Sequence, residues 1–275
     1  MTMNPTHPDY VVPTGDFIKE WMEDEGINAA ELARRLDVSP KHVSELLRGK
    51  APLSHDMALR LENTTGVPAR IWNLHETGYQ AALARQAADA KLVTQYDRAK
   101  EFPLNYLRKH SFITAPASDK AGTVRGLLQF FGISSMDAFQ ATWNQGAVAY
   151  RRSAVGHHDP HRLATWLRAA ERSCTPGDFP IYDRKNLPEL RSLTVEDPVQ
   201  AILKAQALLR DCGVALTLVP AVPGLGTHGA TRWIQGHPLI QLSDLWKCDD
   251  QLWFTLFHEI AHVLLHESNG LYLNN

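Results

Sequence analysis

The segment NAAELARRLDVSPKHVSELLRG, residues 28–49, holds two short apolar stripes separated by a turn. Leu32, Ala33 and Leu36 share one helical face, Val43, Leu46 and Leu47 share another, and Val38 lies in the turn. Helices this short are not stable alone. They must cross and bury their stripes against each other and against their neighbours, which is the layout of a helix-turn-helix. Local signals set the limits of the surrounding helices. Gly26 ends a first helix that begins near Asp16, and Asn28 with Glu31 forms an N-x-x-E capping pair for the second, which ends near Asp37. Ser39 caps a third, with Pro40 in its first turn, and this helix runs to Arg48 and stops at Gly49. Ser54 caps a fourth that Gly66 closes, and Pro68 opens a long fifth through Ala87 and on to about Lys100. The first fifteen residues, with three prolines, read as an extended arm.

With Val43, Leu46 and Leu47 turned inward, the third helix offers Lys41, His42, Ser44, Glu45 and Arg48 to solvent. Hydrogen-bonding side chains near a helix N-terminus suit base edges and phosphates in a major groove. The formal net charge is −2, so only a local patch could draw nucleic acid. Such a patch is present. Six basic residues (Arg34, Arg35, Lys41, Arg48, Lys50 and Arg60) stand against three acidic ones (Asp37, Glu45 and Asp56) between Arg34 and Arg60. A small helical bundle with a solvated charged face has the same pattern.

The run ELARRLDVSPKHVSELLRGKAPLSHDMALRLENTTGVPARIW resembles phage-repressor-like helix-turn-helix proteins, and HigA-type antitoxins among them. The similarity extends from Gly15 to about Arg85, and VSPKHVSELLRGKAPLS is its most specific part. The resemblance implies a five-helix DNA-binding domain whose third helix reads double-stranded operator DNA, as a homodimer. Carried onto this sequence, Lys41, Ser44 and Arg48 are the principal contacts, with Ser39, His42, Glu45 and Lys50 beside them. Glu45 would repel phosphate, so it either accepts from a cytosine amino group or pairs with Arg48.

The middle of the chain is helical, over Ser135 to Tyr150, His161 to Arg172 and Pro198 to Asp211, with TPGDFPIYDRKNLPEL as a surface connection. After Cys212 the character changes. VALTLVP, GATRWIQ and PLIQLS read as strands, PAVPGLGTHG as a loop, and QLWFTLFHEIAHVLLHES as one helix. The expected organisation is a helix-turn-helix domain over residues 1–90, a helical connector over 91–196 and an α+β segment over 197–275.

That last helix carries HEIAH. His258 and His262 sit one turn apart on one face, about 6 Å apart along the axis. Two imidazoles so placed can share one zinc ion at about 2.0–2.1 Å. Glu259 lies beside them, where it can act as general base on a metal-bound water. The flanking Trp253, Phe254, Leu256, Phe257, Val263, Leu264 and Leu265 fit a buried active-site helix. The motif also arises by chance in a chain of this size. GVALTLVPAVPGLGTHGATRWIQGHPLIQLS followed by DDQLWFTLFHEIAHVLLH is similar to the ImmA/IrrE family of zinc metallopeptidases, over about Asp197 to Asn275. The resemblance implies a zincin-like segment and a gluzincin-like endopeptidase. It also implies a third protein ligand, a Glu on a later helix, that this sequence does not supply. His266 is about 12 Å from His258 along the helix and cannot reach the same ion. Glu267 is half a turn off the His258 face. The zinc site is therefore expected to be incomplete in these 275 residues, in a truncated or processed form or a vestigial one, and peptidase activity absent.

Other clusters have ordinary readings beside the chemical ones. His157, His158 and His161 surround Asp159, as a metal site or as a helix start capped by Asp159. Cys174, Cys212 and Cys248 show no CxxC spacing and read as buried small apolar residues in a reducing cytosol. His228, Arg232 and Trp233 border a substrate groove in the resembled family, or simply pack on a sheet edge. No signal peptide and no bilayer-spanning run is read in the sequence, so a cytoplasmic location without membrane association is expected. The expected function is a DNA-binding repressor or antitoxin-like regulator with a C-terminal zinc-peptidase-like segment acting on a regulatory protein. The alternative is a non-catalytic repressor whose C-terminal segment dimerises or grips a toxin.

Overall fold

The computed structural model describes residues 12–151, 159–174, 179–186, 189–246, 248–265 and 271–274, the side chains of 144–151 excepted. His157, His158, His266 and Glu267, weighed above as metal ligands, lie outside the described residues. The chain divides into two units, Met1–Lys91 and Leu92–Asn275.

The first unit contains α1 (Thr14–Asp24), α2 (Ala29–Leu36), α3 (Pro40–Leu47), α4 (His55–Thr65) and most of α5 (Ala69–Thr94). The caps expected from sequence are in place. The side chains of Asn28, Ser39 and Ser54 accept from the backbone N–H of Glu31, His42 and Met57. Gly66 closes α4 in the left-handed region at φ 74°. Half of the Asn28–Glu31 box is missing, because the Glu31 carboxylate pairs with Arg34 and Arg35 on its own helix. Leu32, Ala33, Leu36, Val43, Leu46 and Leu47 are buried together with Ile18, Met57, Leu61 and Trp72. Burying a Leu or Ile side chain contributes roughly 1.5–3 kcal/mol, so these stripes supply much of what holds so small a unit together.

The second unit adds α6 (Tyr96–Ala99), α7 (Leu104–Lys109), α8 (Lys120–Phe131), α9 (Met136–Arg151), α10 (Pro160–Ser173), α11 (Pro198–Asp211) and α12 (Asp249–Leu265). Strands β1 (Ala215–Leu218), β2 (Gly229–Ile234), β3 (His237–Leu242) and β4 (Leu271–Asn274) form one mixed sheet in the order β1-β3-β2-β4. β1 runs parallel to β3, while β2 is antiparallel to both β3 and β4. Strand alternation sends side chains to two faces. Ala215, Ala230 and Leu239 join a core with Leu107, Leu127, Phe130 and Trp166. Leu216, Ile240 and Leu242 join another with Ile202, Leu209, Leu252 and Leu256. The sheet thus lies between two helical layers, and residues 99–170 share a core with β1–β3.

The mainly helical first half and the smaller α+β part match the expected fold class at that level. Asp159 caps α10, its carboxylate accepting from the N–H of His161 at 2.9 Å. Two expectations need correction. Cys248 is exposed, and Cys174 and Cys212 are only partly buried, so the cysteines are not simply core residues. Phe254 is 69% exposed and Phe257 38%, so α12 buries one face and not its whole girth. β4 was not read from sequence, since four residues are too short to show an alternation. Among the described residues no helix is long and apolar enough to cross a membrane.

Candidate nucleic-acid interface and histidine pair

α3 is held from behind by close approach. A Cβ placed on Gly15 of α1 would lie 2.6 Å from the Leu46 carbonyl oxygen, so only glycine lets α1 sit this near α3. The turn before α3 is held by Arg60 of α4. Its Nη1 donates to the carbonyls of Leu36 at 3.0 Å and Asp37 at 3.1 Å, and its Nε donates to Asp56 at 2.9 Å. Asp37 adopts φ 54°, a left-handed conformation that Asp tolerates. Arg60, counted in the basic patch from sequence, thus also caps the C-terminus of α2.

The outer face of α3 carries the expected polar side chains. Lys41 is exposed and lies 3.9 Å from the Glu45 carboxylate. Arg48 is exposed and folds back on its own helix, Nε donating to the Ser44 carbonyl at 2.9 Å and Nη2 to Ser44 Oγ at 2.8 Å. Glu45 therefore pairs with Lys41 and not with Arg48. His42 and Ser44 are half-buried, Lys50 is exposed beyond the helix, and Ser39 spends its hydroxyl on the N-cap. Surface pairs such as Lys41–Glu45 contribute little to stability, at most about 1 kcal/mol, so the cations can turn to another partner at small cost.

α12 presents a second constellation. His258 Nε2 and His262 Nε2 are 3.1 Å apart, and the His262 ring stacks on Tyr272 of β4 at 4.7 Å. Glu259 is turned inward, between α12 and β2. It is fully buried, its Oε2 accepts from Thr231 Oγ1 at 2.7 Å, and its Oε1 has no hydrogen-bond partner among the described residues. Burial pushes the Glu259 carboxyl up to about 8, against the hydrogen bond from Thr231. A Cβ on Gly229 would meet Glu259 Oε1 at 2.6 Å, so the glycine makes room for the carboxyl. Gly229 and Thr231 were missed as part of this site. Their alternation in GATRW places them on one face, but nothing local ties that face to α12.

Two imidazole nitrogens at this separation fit two ligands of one zinc ion, whose bonds of about 2.0–2.1 Å place tetrahedral neighbours a little over 3 Å apart. Among the described residues no group of three or more His, Cys, Asp or Glu side chains is arranged to hold a metal ion. Arg232 and Trp233 are engaged elsewhere. Arg232 is engaged across the sheet with Glu171 of α10 at 2.6 Å, and Trp233 packs edge-on against Tyr182.

Comparison with known proteins bears on the first unit. Residues 18–72 match the family HTH_3, described as Helix-turn-helix. The uncharacterized HTH-type transcriptional regulator YddM of Escherichia coli (strain K12) is 32% identical over 85 residues, which cover 30% of this chain and 90% of that protein. Virulence-associated protein I of Dichelobacter nodosus is 34% identical over 73 residues, covering 26% of this chain and 68% of that protein. The solved structure of Pseudomonas aeruginosa antitoxin HigA with the higBA promoter is 29% identical at a TM-score of 0.29, over 30% of this chain and 90% of that one. Through its N-terminal unit, this chain belongs to the helix-turn-helix family.

Proposed function

We propose that this protein is a transcriptional regulator that binds duplex operator DNA through α3, as a dimer, in the manner of an antitoxin-type repressor of its own operon. The observation that carries the reading is the division of labour in α3. Val43, Leu46 and Leu47 are buried, while Lys41 and Arg48 stand exposed on the other side, held only by surface contacts. The identity to an HTH-type transcriptional regulator over nearly all of that protein's length supports it. One helix-turn-helix covers a half-site, so a dimer is needed to read a full operator. Lys41→Ala and Arg48→Ala are each expected to weaken binding to DNA from upstream of its own coding sequence, by about 1–3 kcal/mol for a base contact, and binding should fall as salt rises. The measurement is a fluorescence-anisotropy titration, with footprinting to show two half-sites about a dyad. Unchanged affinity in the double variant would remove α3 from the interface.

A second reading is favoured by one distance, the 3.1 Å between the imidazole nitrogens of His258 and His262. In it, these two residues hold a zinc ion and Glu259 is the neighbouring base of a peptidase-like site acting on a regulatory protein. A zinc ion with three protein ligands lowers the pKa of a coordinated water to about 7. With two protein ligands, zinc binding is expected to be weak and cleavage absent. Metal analysis after zinc loading and desalting checks this, with His258→Ala as the control that loses what zinc is held. Stoichiometric zinc together with proteolysis would point to a further ligand, His228, Asp249 and Asp250 being the first to replace.

A further inference from the structure

Two histidines on one helix are half of what a closed zinc site takes. His258 Nε2 and His262 Nε2 lie 3.1 Å apart on α12. Both rings are held in place by aromatic neighbours, His258 by Phe254 at 6.2 Å and His262 by Tyr272 at 4.7 Å. His258 is exposed, so an ion at this pair can be reached from outside the fold. A closed zinc site has four ligands in a tetrahedron. The described residues add no third ligand to the two imidazoles. Glu259, the acid between them in sequence, is enclosed against Thr231 of β2.

The side of α12 that carries His258 also carries apolar side chains. Phe254 lies one turn before His258 and Phe257 directly precedes it, and both are exposed. Exposed apolar surface around a polar centre marks a contact between proteins. Its extent is small. Two phenylalanines so exposed on each of two copies would bury on the order of 400 Å² in all, whereas a stable interface needs about 1,200 Å² or more. Such a contact cannot hold two copies by itself, but it can add to a bond that does. A twofold axis beside the pair supplies that bond, because it turns two imidazoles into four and sets like phenylalanines against each other. A second copy of this chain is therefore the partner that completes the site with no further protein assumed.

We propose that one zinc ion joins two copies of this chain through α12, taking His258 and His262 from each. The inference rests on the reading that this pair holds zinc, and it draws the missing ligands from the second copy. Assembly of the regulator through its second unit then responds to zinc. Nothing in it depends on α3.

The test uses the full chain, freed of metal with EDTA and titrated with zinc chloride under native mass spectrometry. The expected zinc-bound species holds one ion per two chains, and cobalt(II) in its place gives the intense visible absorption of a four-coordinate ion. His258→Ala should lose both. Phe254→Gln removes no ligand, yet it should raise the zinc concentration needed for half-loading about tenfold, through the lost contact between copies. One ion per single chain would overturn the shared site and leave the single-chain reading standing. No zinc uptake would overturn both, as would uptake that survives in His258→Ala. One ion per two chains with affinity unaltered in Phe254→Gln would overturn the facing of the two α12 helices.

Discussion

Helices α3 and α12 sort their side chains in opposite ways. α3 turns its apolar residues inward and its polar ones outward, so its fold and its proposed chemistry occupy different faces. α12 buries its acid, Glu259, against β2 and leaves Phe254 and Phe257 toward water. In α3 the outer face is not used for stability. In α12 the residue with the strongest chemical character is also a packing residue, held by Thr231 and by the space at Gly229. A change in the first helix can alter recognition alone, whereas a change in the second alters fold and chemistry together.

Substitutions can break or sharpen this contrast. The largest effect is expected for Leu46→Ala, which deletes a side chain only 2% exposed and should destabilise the first unit by about 2–5 kcal/mol in urea unfolding. Phe254→Ala on α12 removes a larger side chain that is 69% exposed, and should stay within about 0.5 kcal/mol of the parent. Similar losses for both would mean that the outer face of α12 is covered after all. Next comes Thr231→Val, which keeps the shape but takes the only hydrogen bond that the Glu259 carboxyl makes among the described residues; it should cost the second unit about 1–3 kcal/mol, read by hydrogen exchange along β2. No slowing or quickening of exchange there would show that Glu259 is satisfied otherwise. The smallest of the destabilising changes is Ser39→Ala, which removes the N-cap of α3 and should cost about 1 kcal/mol, measured as a shifted urea midpoint with unchanged slope.

The helix-turn-helix was legible because its signals are local. A cap, a stripe and a stop fall within eight or ten residues of each other, and Asn28, Ser39, Ser54 and Gly66 all act where the sequence puts them. α12 was legible as a helix but not in its orientation. The run LWFTLF is apolar at nearly every position, so no period picks the buried face, and the choice is made by Gly229 and Thr231 some thirty residues earlier. The same distance problem hid the ion pair between Arg232 and Glu171, which are 61 residues apart. Glu31 was misjudged for the contrary reason: Arg34 and Arg35, one turn on, outcompete the backbone N–H of Asn28 for its carboxylate.

The clamp made by Arg60 on the turn between α2 and α3 carries an evolutionary consequence. Arg60, Gly15 and the inward leucines set where α3 lies, so the angle at which it would meet a groove is built into the unit itself. If α3 reads DNA as proposed, positions 41, 44 and 48 form a replaceable alphabet on a rigid stem. On that proposal, a lineage could exchange one operator for another by rewriting those letters, without passing through an unfolded intermediate.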